Sequence, residues 1–322
     1  MSQEIPFDPF PFISDPHRQT ILSGMYTWFT DPESETQVVR LPDGDKVAME
    51  VSTPREWRGT DPTVILVHGL CGSHRSPYLV RLIKRLQPLG IRGIRFNMRG
   101  CGSGQGLARH MYHSGRSDDL FEAIKWLKKE NPESPIILIG FSLGGNQVLK
   151  LAGELGTLGN RFIKGAIAIS PPIDLFESVK MICNPGGEIY ERYFIRMLTA
   201  DVQYRHERFP ELPPADLPRD LTVMEFDSLY TAARFGFVDA VDYYNKCSSR
   251  HLIPEIKVPT RILLAEDDPI VSPHTIDTVV LPASVEIFKT KKGGHMGYLG
   301  NPFSKKGFYW LDSLLIEWIQ SF

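Results

Sequence analysis

Six short runs of β-branched and apolar residues punctuate this chain, and they constrain its fold more than any other feature. They are Thr63–Gly69 (TVILVHG), Ile91–Phe96 (IRGIRF), Pro135–Gly140 (PIILIG), Gly165–Ser170 (GAIAIS), Thr260–Ala265 (TRILLA) and Val285–Thr290 (VEIFKT). None alternates between apolar and polar residues. Strands of that kind are covered on both faces, which predicts a parallel sheet. Between several of them lie SPYLVRLIKRLQPLG, SDDLFEAIKWLKKE and SLGGNQVLKLAGEL, with apolar residues at helical spacing. Strand and helix therefore alternate, and the expected fold class is α/β with a mostly parallel, doubly wound sheet. Upstream, TQVVRLPDGDKVAMEVS alternates around Asp43-Gly44 and predicts an antiparallel hairpin at the sheet edge.

One stretch breaks this rhythm. From Pro171 to about Arg250 there is no strand pattern, yet aromatic residues are dense and prolines recur at 210, 213, 214 and 218. It reads as a helical cap insertion over 171–250, following the sixth strand if the hairpin is counted. The alternative is a helical subdomain with its own core. The rest of 1–322 reads as one domain, preceded by an N-terminal arm over 1–35. Phe7, Phe10 and Phe12 alternate there with prolines, so the arm is expected to be extended and to bury its rings in a groove, a membrane-docking tip being the less favoured reading.

Composition narrows the function. With 36 basic and 38 acidic residues the net charge is -2, so no global field favours nucleic acid or an anionic membrane. The first residues lack the basic and apolar regions of a signal peptide, and no apolar run reaches the ~20 residues of a membrane span. Cys71, Cys101, Cys183 and Cys247 are scattered without a C-x-x-C pair. A soluble, cytoplasmic protein with no metal and no cofactor is expected. Nothing in the sequence indicates an oligomeric state.

The chemistry centres on GFSLG, Gly140 to Gly144, between a strand and a helix. In this setting G-x-S-x-G predicts a nucleophile elbow. Ser142 would adopt a strained turn, and side chains at 140 and 144 would collide across it. A serine hydroxyl is a weak nucleophile and needs an oriented base. Of nine histidines, His295 in KKGGHMGYLG stands just beyond the last strand, where open α/β sheets bind ligands. The acid should end the preceding strand, and LLAEDDPIVSP offers Asp268 or its neighbour Asp267, with Asp268 preferred. The order Ser142, Asp268, His295 is that of α/β-hydrolases. The oxyanion donors are assigned to the backbone N–H of Leu70, in VHGLCG, and of Leu143. His68 is read as structural and Cys71 as a packing residue. His110 and His113 lack a third ligand at suitable spacing, so they are read as loop residues near the pocket.

The segments HGLCGSHRSPY, FNMRGCGSG, YHSGRSDDL, GFSLGGN, EFDSLYTA, GFVDAVDYY, AEDDPIV and GGHMGYLG resemble the YheT-like α/β-hydrolases from about His17 onward. That family has esterase and acyltransferase members. The resemblance implies an α/β-hydrolase fold, a nucleophile, acid and base at Ser142, Asp268 and His295, and a soluble, bacterial-type member. It also implies a carboxylesterase acting on short- to medium-chain acyl esters, with an apolar acyl group as substrate. The alternatives are an alcohol acyltransferase using the same triad and a non-catalytic ligand-binding protein of this fold.

Overall fold

The computed structural model describes residues 2–25 and 30–322. Among them, nine strands form one sheet: β1 (Gln3–Glu4), β2 (Glu35–Arg40), β3 (Lys46–Ser52), β4 (Thr63–Val67), β5 (Arg92–Phe96), β6 (Ile136–Phe141), β7 (Gly165–Ile169), β8 (Thr260–Ala265) and β9 (Val285–Thr290). Their order across the sheet is β1-β9-β8-β7-β6-β4-β5-β3-β2. Only the β2–β3 and β3–β5 pairings are antiparallel, so β3 alone runs against the rest. The fold is thus the expected α/β one, with the hairpin at one edge.

The helices are α1 (Pro16–Met25), α2 (Pro77–Leu86), α3 (Ser117–Glu130), α4 (Leu143–Leu155), α5 (Leu175–Cys183), α6 (Glu188–Arg208), α7 (Val223–Phe226), α8 (Ala233–Phe235), α9 (Ala240–Cys247) and α10 (Trp310–Gln320). The pleat explains why the strands carry unbroken apolar runs. Val64 and Leu66 of β4 join a core with α2 and α10, whereas Ile65 and Val67 join one with α3 and α4. Both faces are dry, so Val64 to Val67 are all apolar. Each fully buried Leu or Ile there contributes about 2 kcal/mol of transfer free energy.

Residues 171–250 carry α5 to α9 and no strand, and the proline-rich stretch 209–222 between α6 and α7 is irregular. The buried side chains Leu175, Val179, Ile195, Leu198 and Phe226 belong to the same continuous cluster as Leu143 and Met111 of the sheet's upper rim. Of the arm expected over 1–35, residue 1 and residues 26–29 lie outside the described ones. Its first residues are not merely draped in a groove. Gln3 and Glu4 pair in parallel with Phe288 and Lys289, adding an edge strand, and α1 follows. Phe7 packs edge-on against Tyr298 and Trp310, but Phe12 does not bury its ring, being 79% exposed. Its neighbour Pro11 opens a short 3-10 turn, which directs Phe12 outward. Among the described residues, no helix is long and apolar enough to cross a membrane.

Candidate active site

At the end of β6 the chain turns directly into α4. Ser142 occupies that corner at φ 49°, ψ −120°. Such a conformation costs about 1–3 kcal/mol and persists only where neighbours enforce it. Here Ser142 N–H donates to Ile169 O at 2.9 Å, and Ser142 O accepts from Asn146 N–H at 3.1 Å. A Cβ at Gly140 would lie 2.2 Å from Gly144 O, and one at Gly144 would lie 2.4 Å from Val67 O. Those two glycines are therefore steric requirements. Gly145 is a softer case, its Cβ meeting Pro171 Cβ at 3.0 Å.

The imidazole of His295 reaches the serine. Its Nε2 lies 2.8 Å from Ser142 Oγ, and its Nδ1 lies 2.9 Å from Asp268 Oδ2. These distances suit the tautomer in which Nδ1–H donates to the carboxylate and Nε2 accepts the serine O–H. Asp268 and His295 are both buried, 6% and 5% exposed. The second carboxylate oxygen of Asp268 accepts the N–H groups of Ile270 and Val271 at 2.8 and 2.9 Å. Its neighbour Asp267 points elsewhere and accepts Gly294 N–H at 2.9 Å, and burial pushes its carboxyl up. The structure thus joins Ser142, His295 and Asp268, and uses Asp267 to shape the histidine loop.

That loop depends on residues the sequence reading passed over. His295 N–H donates to Thr20 Oγ1 of α1 at 2.8 Å. Gln19 accepts Leu299 N–H at 2.7 Å and donates to Leu299 O at 2.9 Å. No local motif marks either role, because the contacts span more than 270 residues.

The loop after β4 carries Leu70. Gly69 N–H donates to Tyr78 Oη and Cys71 N–H to Tyr112 Oη, both at 3.0 Å. The Leu70 amide between them has no protein acceptor among the described residues. Leu143 opens α4, so its N–H stands at the positive end of the helix. His68 is fully buried, lies 2.8 Å from Gly69 O through Nδ1, and accepts Met98 N–H at 3.2 Å. Burial pulls its pKa down to about 4, so it is neutral and structural. Cys71 is held as a thiol, burial pushing its pKa up to about 12.

His110 and His113 face different partners. His113 packs on Phe235 and Tyr243, and burial lowers its pKa to about 3. His110 Nδ1 instead approaches Asp45 at 2.9 Å, with Asp43 close by. Sequence spacing does not reveal these carboxylates. Arg99 donates to Asp43 at 2.6 Å and to Asp45 at 2.8 Å, so a cation already occupies the cluster.

Ser142 opens into a small cavity of about 80 Å³, walled by Leu70, Leu143, Met111, Phe194 and Val271 among others. The hydroxyl, imidazole and carboxylate so linked can relay one proton beside an apolar space.

A model of the alpha/beta hydrolase fold matches residues 62–302. The chain is also 32% identical to the YheT protein of Escherichia coli (strain K12), provisionally named an esterase, over 100% of this chain and 95% of that one. The chain belongs to the α/β-hydrolase fold family. Within it, a monoacylglycerol lipase of Saccharomyces cerevisiae is 28% identical, over 81% of this chain and 59% of the yeast protein. The solved Pyrococcus furiosus esterase Pf2001 superposes with a TM-score of 0.58, at 20% identity, over 90% of this chain and 93% of that one. At such identity the likeness to Pf2001 concerns this fold alone.

Proposed function

We propose that the chain is a serine carboxylesterase acting on short- to medium-chain acyl esters. It is an ester hydrolase in which His295, oriented by Asp268, takes the Ser142 proton as Oγ attacks the carbonyl carbon. The N–H groups of Leu70 and Leu143 hold the resulting oxyanion, each donor worth about 3–4 kcal/mol of barrier. The protonated imidazole then gives its proton to the departing alkoxide, leaving an acyl-serine and a free alcohol. Water, deprotonated by His295, attacks the acyl-serine, and the proton returns to Ser142 as the acid leaves. The observation that carries this reading is the continuous relay from Asp268 through His295 to Ser142, at 2.9 and 2.8 Å.

Residues 171–250 act as a cap, because Phe194, Leu198 and Phe226 close the cavity above Ser142. A cavity of 150 Å³ takes a benzene molecule. The space here is about half that and favours the short end of the acyl range.

A fluorophosphonate probe labels the wild-type protein, and the label is lost in Ser142→Ala. A graded series of p-nitrophenyl esters turns over fastest at short acyl lengths. Labelling that survives Ser142→Ala overturns the assignment of the nucleophile.

A further inference from the structure

The small apolar cavity at Ser142 has a much larger neighbour. An open cleft of about 690 Å³ lies between α6, the β2–β3 edge and the loop that continues from Leu70. Leu70 faces the apolar cavity, whereas Cys71, the next residue, faces the cleft, and both spaces share Tyr112 and Leu198 as walls. One molecule spanning that divide would have its middle beside the loop that carries the Leu70 amide.

The lining of the cleft indicates what it binds. Glu50, 6% exposed, accepts from Ser34 at 2.7 Å and Thr36 at 2.8 Å. Arg95, 1% exposed, donates to Asp31 at 3.1 Å, to His74 O at 3.0 Å and to Ser34 at 3.2 Å, while its buried Nε has no partner. With Asp201 and Arg75 the cleft holds three carboxylates and two guanidinium groups. A phosphate would face the carboxylates, and a lone cation would face the guanidinium groups. An uncharged molecule rich in hydroxyls meets both, donating to the former and accepting from the latter. The aromatic residues Tyr112 and Tyr204 also line the cleft. Clefts of about 300–1,000 Å³ enclose ligands well above the size of ethanol or glycerol.

We propose that this cleft binds the alcohol half of the ester, and that this half is an uncharged, sugar-sized polyol. The inference rests on the esterase reading and deepens it: a small acyl group enters the cavity at Ser142 while the polyol lies across the loop.

The test compares 6-O-butyrylglucose with ethyl butyrate, two esters with the same acyl group, by butyrate release. Wild-type kcat/KM favours the sugar ester by about tenfold or more, the scale that a few hydrogen bonds to an alcohol supply. Ala200→Trp, from an exposed position of α6, fills the cleft, and Tyr204→Ala removes an aromatic face. Both variants lower the ratio of sugar-ester to ethyl-ester kcat/KM, Ala200→Trp to near unity. Equal use of the two esters by the wild type overturns the proposal, as does an undiminished ratio in both variants. A preference for a butyryl glycerophosphate ester over the sugar ester also overturns it. Fluorophosphonate labelling of the same samples separates the two readings. A labelled enzyme without the sugar preference sinks this inference alone, and an unlabelled one sinks the esterase reading with it.

Discussion

The rim of the sheet and the helical segment above it are built on different principles. At the rim, every residue proposed to react is tied down by a hydrogen bond that involves the main chain. Ser142 is fixed by Ile169 and Asn146, Asp268 by the amides of Ile270 and Val271, and the His295 backbone by Thr20. Above it, α5, α6 and α9 line the cavity with residues such as Val179, Phe194 and Tyr243, and α6 leaves Ile189 and Tyr193 58% and 45% exposed. The same segment has a run of π-helix, Asp227–Ala232, that places a carboxylate against the cavity. Chemistry that tolerates little displacement is fixed by backbone, and selectivity is left to residues that can change without unfolding the sheet.

The widest gap should come from two adjacent aspartates. Asp268→Asn lowers kcat by about ten-thousand-fold, the cost of misorienting a triad histidine. Asp267→Asn, which keeps an acceptor for Gly294 N–H, loses far less, and steady-state kinetics of the pair measures the contrast. Equal losses would mean that the histidine loop matters as a whole and not through one carboxylate.

Next in size is Gly140→Ala. Its Cβ would meet backbone at 2.2 Å, with no flexible side chain to yield, so the overpacking costs about 3 kcal/mol by urea unfolding. An alanine tolerated there would show that the elbow can relax.

A smaller effect is expected at Tyr78→Phe. Gly69 N–H loses its acceptor, a penalty of about 1–3 kcal/mol for a buried donor. The loss should appear in kcat, by about tenfold, more than in KM, if the loop serves the oxyanion as proposed.

The helical segment yields the gentlest test. Asp227 accepts from Thr231 at 2.6 Å and Tyr244 at 2.7 Å, and burial pushes its pKa up to about 6 from an ordinary 3.8. The folded state therefore binds the proton more tightly than the unfolded chain. This group's contribution to stability is full below pH 4, is lost as pH rises toward 6, and is flat above. The melting temperature of Asp227→Asn, relative to wild type, should rise across that window. A constant difference would show that the carboxylate is solvated through the cavity.

Much of the rim is legible in the sequence because its determinants are local or repeated. Unbroken apolar runs announce dry strands, and Gly140 and Gly144 announce a corner where a β-carbon cannot fit. Ser142, Asp268 and His295 stand just past the ends of β6, β8 and β9, which parallel topology gathers at one edge. Spacing alone could not choose between Asp267 and Asp268, since the choice depends on which way each side chain leaves the loop. The roles of Thr20, Gln19, Tyr78 and the Tyr112 hydroxyl are not legible, because each acts through backbone hydrogen bonds to another segment of the chain. The same holds for β1, two residues whose pairing with β9 has no periodicity to detect. Asp43 and Asp45 beside His110 are a further case of proximity created only by folding.

The grip of Thr20 on the histidine loop has a consequence for how the protein comes into being. Thr20 secures a residue made 275 positions after it, and Gln3 and Glu4 likewise wait for Phe288 and Lys289. Such distant closures are slow and come late in assembly. A ribosome-bound fragment that lacks His295, however much of the sheet it has built, carries Ser142 without the imidazole proposed to activate it. On the proposed mechanism, reactivity arrives only when these two distant segments meet.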